Sequence, residues 1–62
     1  MPIIHVQLFE GRSNAQKREF AEVVTRETCR ILNTTPESVD ILFSEIKKSD
    51  WATSGKLWSE QS

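Results

Sequence analysis

The segment Ile3-Ile4-His5-Val6-Gln7-Leu8-Phe9 is the strongest constraint on how this chain folds. It is β-branched and apolar. Strand alternation sets Ile4, Val6 and Leu8 on one face and Ile3, His5, Gln7 and Phe9 on the other. Both faces are largely apolar, so both need cover. A chain of 62 residues can lay one helix over one face. The second face then calls for another subunit. His5, inside the strand, reads as a packed or interface histidine rather than a catalyst.

Length sharpens the point. Residues 1–62 make one domain, and a chain this short buries too little of its surface to be stable unaided. One cysteine forms no internal disulfide, and one histidine with one cysteine makes no structural zinc site. Oligomerisation is the staple that remains. The net charge of −1 offers no basic field for nucleic acid or an anionic membrane. No apolar run approaches the ~20 residues of a membrane span, and no signal-peptide pattern opens the chain. The reading is a soluble, cytoplasmic protein.

Pro2 follows the initiator methionine. If Met1 is trimmed, Pro2 carries a free secondary amine, whereas every other proline nitrogen is an amide. An α-amino group titrates near ~7.7–8.0. Apolar neighbours and a nearby cation lower that value, and a base poised near the working pH is what proton transfer requires.

Gly11 marks a turn after the strand, and Ser13 with Gln16 forms a capping box, so a helix starts at about Asn14. Phe20, Val24, Thr28 and Leu32 step down one helical face, with Ala21 and Ile31 beside them. Lys17, Arg18, Glu22, Arg26 and Arg30 mark the wet side, with Glu22 and Arg26 spaced for an ion pair. Cys29 reads as a small core residue. Asn33 ends the helix, and 34–38 make a turn in which Pro36 biases Thr35 away from helix. A second strand runs from Val39 to Ile46, with Val39, Ile41 and Phe43 on one face. Strand, helix and strand make a βαβ unit with parallel strands and a right-handed crossover. After a polar turn at 47–50, Trp51 to Trp58 reads as a short hairpin or arm. Two tryptophans there expose much apolar surface in a monomer and point to interface packing. The fold class is therefore α/β: one βαβ unit with a C-terminal hairpin, completed by oligomerisation.

Several of these features occur together in one family. Pro2 after the start, the run Leu8-Phe9-Glu10-Gly11-Arg12-Ser13, Gln16-Lys17 in the first helical turn, and Trp51 before a small-residue turn through Gly55 resemble the 4-oxalocrotonate tautomerase family over essentially the whole chain. The resemblance implies a keto-enol tautomerase without metal or organic cofactor, assembled as a hexamer (a trimer of dimers) of identical or related chains. It implies that Pro2 is the general base, that Arg12 binds a substrate carboxylate, and that Trp51 supplies an apolar wall keeping the amine neutral. The partner is then a small enol or keto carboxylate. As a strand, Pro2 to Phe9 spans roughly 23 Å at ~3.3 Å per residue, and an arginine side chain reaches only about 7 Å beyond its backbone. Arg12 should therefore serve the Pro2 of an antiparallel neighbour.

The chain departs from the family at Asp40, where founding members carry a second arginine. A carboxylate there repels a second substrate carboxylate. The expectation is a monocarboxylate such as 2-hydroxypenta-2,4-dienoate or the enol of phenylpyruvate, in place of the dicarboxylate 2-hydroxymuconate. The turn Ala52-Thr53-Ser54-Gly55 is more polar than in founding members. Thr53 and Ser54 do not replace the glutamate with which related dehalogenases activate water, so a hydratase or dehalogenase needs another acid, such as Asp40. Two alternatives stand beside the active tautomerase: a catalytically weak partner subunit of a hetero-oligomer, which Asp40 favours, and a plain oligomeric interaction module, favoured if Met1 is retained.

Overall fold

The computed structural model describes residues 2–60. Met1, and with it the question of its removal, lies outside the described residues. Strand β1 covers Ile3–Phe9, helix α1 Asn14–Leu32 and strand β2 Asp40–Ile46. β1 and β2 are parallel neighbours, with Ile3 opposite Asp40 and Phe9 opposite Ile46. A backbone hydrogen bond from Glu10 N–H to the Ile46 carbonyl (3.0 Å) extends the pairing past β1. The strands β3 (Ala52–Thr53) and β4 (Lys56–Leu57) form a separate antiparallel hairpin. This is the α/β architecture expected from the sequence.

Local chemistry sets the helix ends. The Ser13 side chain accepts from Gln16 N–H (3.1 Å) and the Gln16 side chain accepts from Ser13 N–H (2.9 Å), a complete capping box. Nineteen residues without glycine or proline follow. Asn33 closes the helix in the left-handed region at φ 55°, which asparagine tolerates. The second strand begins one residue later than expected. Val39 is instead held by the short 3-10 turn Pro36–Ser38, through its N–H to the Pro36 carbonyl (3.2 Å). The polar residues after β2 likewise form a 3-10 turn, Lys48–Asp50. The hairpin turns at Ser54 (φ 56°) and Gly55 (φ 77°), the paired positive φ values of the tight two-residue loop that suits twisted strands.

α1 covers the face bearing Ile4, Val6 and Leu8, which are half-buried. Its inward line is Lys17, Ala21, Val24 and Thr28, all half-buried. This corrects the sequence reading at three positions. Lys17 is not on the wet side: its ammonium reaches Glu45 Oε1 at 3.0 Å and its side chain is only 23% exposed. Leu32, expected on the apolar stripe, is 61% exposed, and Ile31 beside it 66%. Phe20 stays on that stripe edge-to-face with Phe43 (5.9 Å), yet remains 42% exposed. Two strands lie ~4.8 Å apart while a helix with side chains is about 10 Å across, so α1 overhangs its sheet sideways at Phe20. Its nineteen residues also span about 28 Å against roughly 23 Å for a seven-residue strand, so the last turn, with Ile31 and Leu32, runs past the sheet. The helix ion pair also differs: Arg30 binds Glu27 (2.7 Å) in place of the expected Glu22–Arg26 pair.

No described residue is buried. The radius of gyration is 14.9 Å, against roughly 11 Å for a compact domain of this length. The surface area is 4988 Å², against about 4,100 Å² for a folded monomer of this mass. Among the described residues both strands keep an unpaired outer edge, and the face away from α1 is uncovered at its Pro2 end, with Ile3 65% and Leu42 53% exposed. The chain is an open half-structure.

Candidate active site

Pro2 sits at the entrance of the sheet. It is half-buried, and its carbonyl accepts the Asp40 N–H at 3.0 Å. Parallel pairing therefore brings the first residue of the motif beside Asp40, 38 positions later in the chain.

Arg12 lies at the opposite end. β1 runs its full length, Gly11 turns the chain at φ 117°, a conformation suited to glycine, and Arg12 follows just before the helix cap. Arg12 lines a cleft of about 310 Å³ on the helix side of the sheet. Val6 and Leu8 of β1, Phe20 of α1 and Phe43 of β2 provide its apolar surface, and Gln16 and Lys17 join Arg12 on the polar side. Lys17 is engaged by Glu45, and Gln16 Oε1 accepts the Ser13 N–H of the helix cap. Arg12 makes no side-chain hydrogen bond or ion pair among the described residues. An unpaired guanidinium beside an apolar cleft suits a small carboxylate with an apolar body.

Trp51 stacks on Phe9, with ring centroids 4.3 Å apart at 46°, and Trp58 meets the same ring edge-on at 5.4 Å. The Trp58 indole N–H donates to Thr53 Oγ1 (2.9 Å), and the Lys48 ammonium lies 6.0 Å from the Phe9 centroid. Phe9 points to the face opposite Val6 and Leu8. Trp51 and Arg12 thus share one end of the sheet but lie on opposite faces.

One chain consequently brings together neither Pro2 with Arg12 nor Pro2 with Trp51. The strand between them spans roughly 23 Å. The sequence reading missed two arrangements. Phe9 is the platform for both tryptophans, which its strand parity allowed but did not reveal. His5 Nε2 and Ser44 Oγ form a 2.6 Å hydrogen bond across the open face, visible only once the register is known. No group of three or more His, Cys, Asp or Glu side chains placed to hold a metal ion occurs among the described residues. No described helix is long and apolar enough to cross a membrane.

The family model described as "Tautomerase enzyme" matches residues 2–61. A "Probable tautomerase" of Ralstonia nicotianae is 34% identical over 61 residues, covering 98% of this chain and 94% of the relative. One from Halalkalibacterium halodurans is 36% identical, covering 98% and 100%. The crystal structure of a 4-oxalocrotonate tautomerase homologue superposes with a TM-score of 0.93 at 32% identity, over 100% of this chain and 98% of that one. A βαβ unit with Pro2 at its entrance, matched along its length by these proteins, defines an isomerase fold. The chain belongs to the tautomerase family, in its 4-oxalocrotonate tautomerase branch.

Proposed function

We propose that this isomerase interconverts the enol and keto forms of small monocarboxylates, using Pro2 as general base once Met1 is removed. The neutral Pro2 nitrogen takes the proton from the enol or dienol hydroxyl and returns a proton to carbon. Arg12 of a neighbouring protomer holds the carboxylate and draws electron density toward it. Trp51 contributes an apolar wall, and desolvation there favours the uncharged amine. The chemistry uses no cofactor. Asp40 disfavours a second substrate carboxylate, so 2-hydroxypenta-2,4-dienoate or the enol of phenylpyruvate is preferred over 2-hydroxymuconate.

The observation that carries this reading is the placement of Pro2 and an unpaired Arg12 at opposite ends of one open-edged strand. An antiparallel copy paired along β1 brings each Pro2 to the other's Arg12 cleft. The bare sheet face then supports further association, to a hexamer built as a trimer of dimers. A catalytically weak partner subunit is the second reading, favoured by Asp40.

Mixing tests the shared site. Pro2→Ala and Arg12→Ala proteins, each of verified intact mass, are expected to be nearly inactive alone. Unfolded and refolded together, random pairing leaves one intact site in half of the dimers, about a quarter of full activity. No recovery in a mixture shown to have exchanged subunits refutes the shared site. An inactive wild-type homo-oligomer lacking Met1 supports the partner-subunit reading.

A further inference from the structure

We infer that Asp40 is a positioning residue for the Pro2 amine: its carboxylate favours the ammonium form and so sets how much free base the protein carries near neutral pH. The inference rests on the proposal that Pro2 is the free amino terminus.

The argument begins with register. Asp40 N–H donates to the Pro2 carbonyl at 3.0 Å, and Asp40 lies opposite Ile3. With strands ~4.8 Å apart, its carboxylate falls within roughly 7 Å of the Pro2 nitrogen. Asp40 is exposed and makes no side-chain hydrogen bond or ion pair among the described residues, so its charge is not neutralised locally.

The other unpaired charges at this end have the same sign. Lys17 in the first turn of α1 pairs with Glu45 near the end of β2, so the helix runs back and its C-terminus lies near Pro2. That terminus is the negative end of the helix dipole. Glu37 sits in the turn leading to β2. Arg30, the basic residue of the last helical turn, is tied to Glu27 at 2.7 and 3.1 Å. On β2, Leu42 and Ser44 are neutral. On β1, His5 is engaged by Ser44. The chain by itself therefore favours a protonated amine. Lowering that proton affinity falls to whatever a neighbour brings, namely its Arg12 and apolar cover. Asp40 offsets part of that effect, so it opposes the base as well as a second substrate carboxylate.

The test reads the amine directly. Protein lacking Met1 by intact mass is labelled with ¹⁵N-proline, and the Pro2 nitrogen is titrated by NMR in wild type, Asp40→Asn and Asp40→Glu. The backbone bond to Pro2 needs only the main-chain N–H, so all three keep the strand pairing. Asp40→Asn is expected to lower the midpoint by about half a unit, the size of one unit charge ~7 Å away in a largely aqueous medium. Asp40→Glu should stay close to wild type, and 1 M salt should shrink the gap between wild type and Asp40→Asn. The acid limb of kcat/KM should move with the amine. An Asp40→Asn midpoint that coincides with wild type overturns the inference, as does an Asp40→Glu shift of equal size or a gap insensitive to salt. The titration needs no turnover. An inactive protein with the expected shifts would defeat the proposed function and leave this inference standing.

Discussion

Leu42→Lys isolates the open sheet face. Leu42 is paired with His5 in register and is 53% exposed in the chain. Its outward half touches nothing within the protomer, so a lysine there should change the stability of an isolated protomer by no more than about 0.5 kcal/mol. In an assembly that covers this face the result is different. The remaining half of the leucine is worth ~1 kcal/mol on burial. An unpaired ammonium held away from water costs a few kcal/mol more, reduced where the long side chain can snorkel to the rim. A net loss of about 3 kcal/mol per protomer corresponds to more than a hundredfold weaker association. Sedimentation velocity between 0.1 and 100 µM (roughly the working range of such assays) should show wild-type oligomer giving way to smaller species in the variant. Enol turnover should fall in parallel. If Leu42→Lys remains assembled and active across that range, the open face is not an interface, and the surface excess must be covered elsewhere.

Other outcomes follow from local contacts. Ser13→Ala removes the side-chain half of the capping box and should cost ~1 kcal/mol, a fall of about 4–8 °C in Tm by calorimetry for a domain of this size. Trp58→Phe keeps an aromatic ring against Phe9 but loses the indole bond to Thr53. It should cost about 1 kcal/mol, and hydrogen exchange should show faster opening of 52–57 with little change in α1. Arg12→Ala should lower kcat/KM for a carboxylate substrate at least tenfold with Tm nearly unchanged, because Arg12 holds no other described group; a large drop in Tm would assign it to the fold.

Much of the architecture was legible because it is encoded over a few residues. The capping box needs only Ser13 and Gln16, the helix end only an asparagine that accepts φ 55°, and the hairpin only Ser54-Gly55. The alternation of β1 grouped Ile4, Val6 and Leu8 on one face, and the structure shows that this is the face α1 covers. Lys17 was misread because charge alone suggests solvent, whereas its partner Glu45 lies 28 positions away. Leu32 was misread because helical periodicity locates a stripe but not the length of the sheet beneath it.

The amino-acid order by itself determined the elements, their caps and the distance between Pro2 and Arg12, since these follow from dihedral preference, strand rise and hydrogen bonds between near neighbours. Tertiary structure decided which distant groups meet. It set Asp40 beside Pro2, His5 against Ser44, and Trp51 on the face of Phe9 turned away from the Arg12 cleft. The physical reason is register. Shifting one parallel strand by a single residue preserves every local preference yet turns each side chain to the other face, so only the packing of α1 across both strands selects the arrangement.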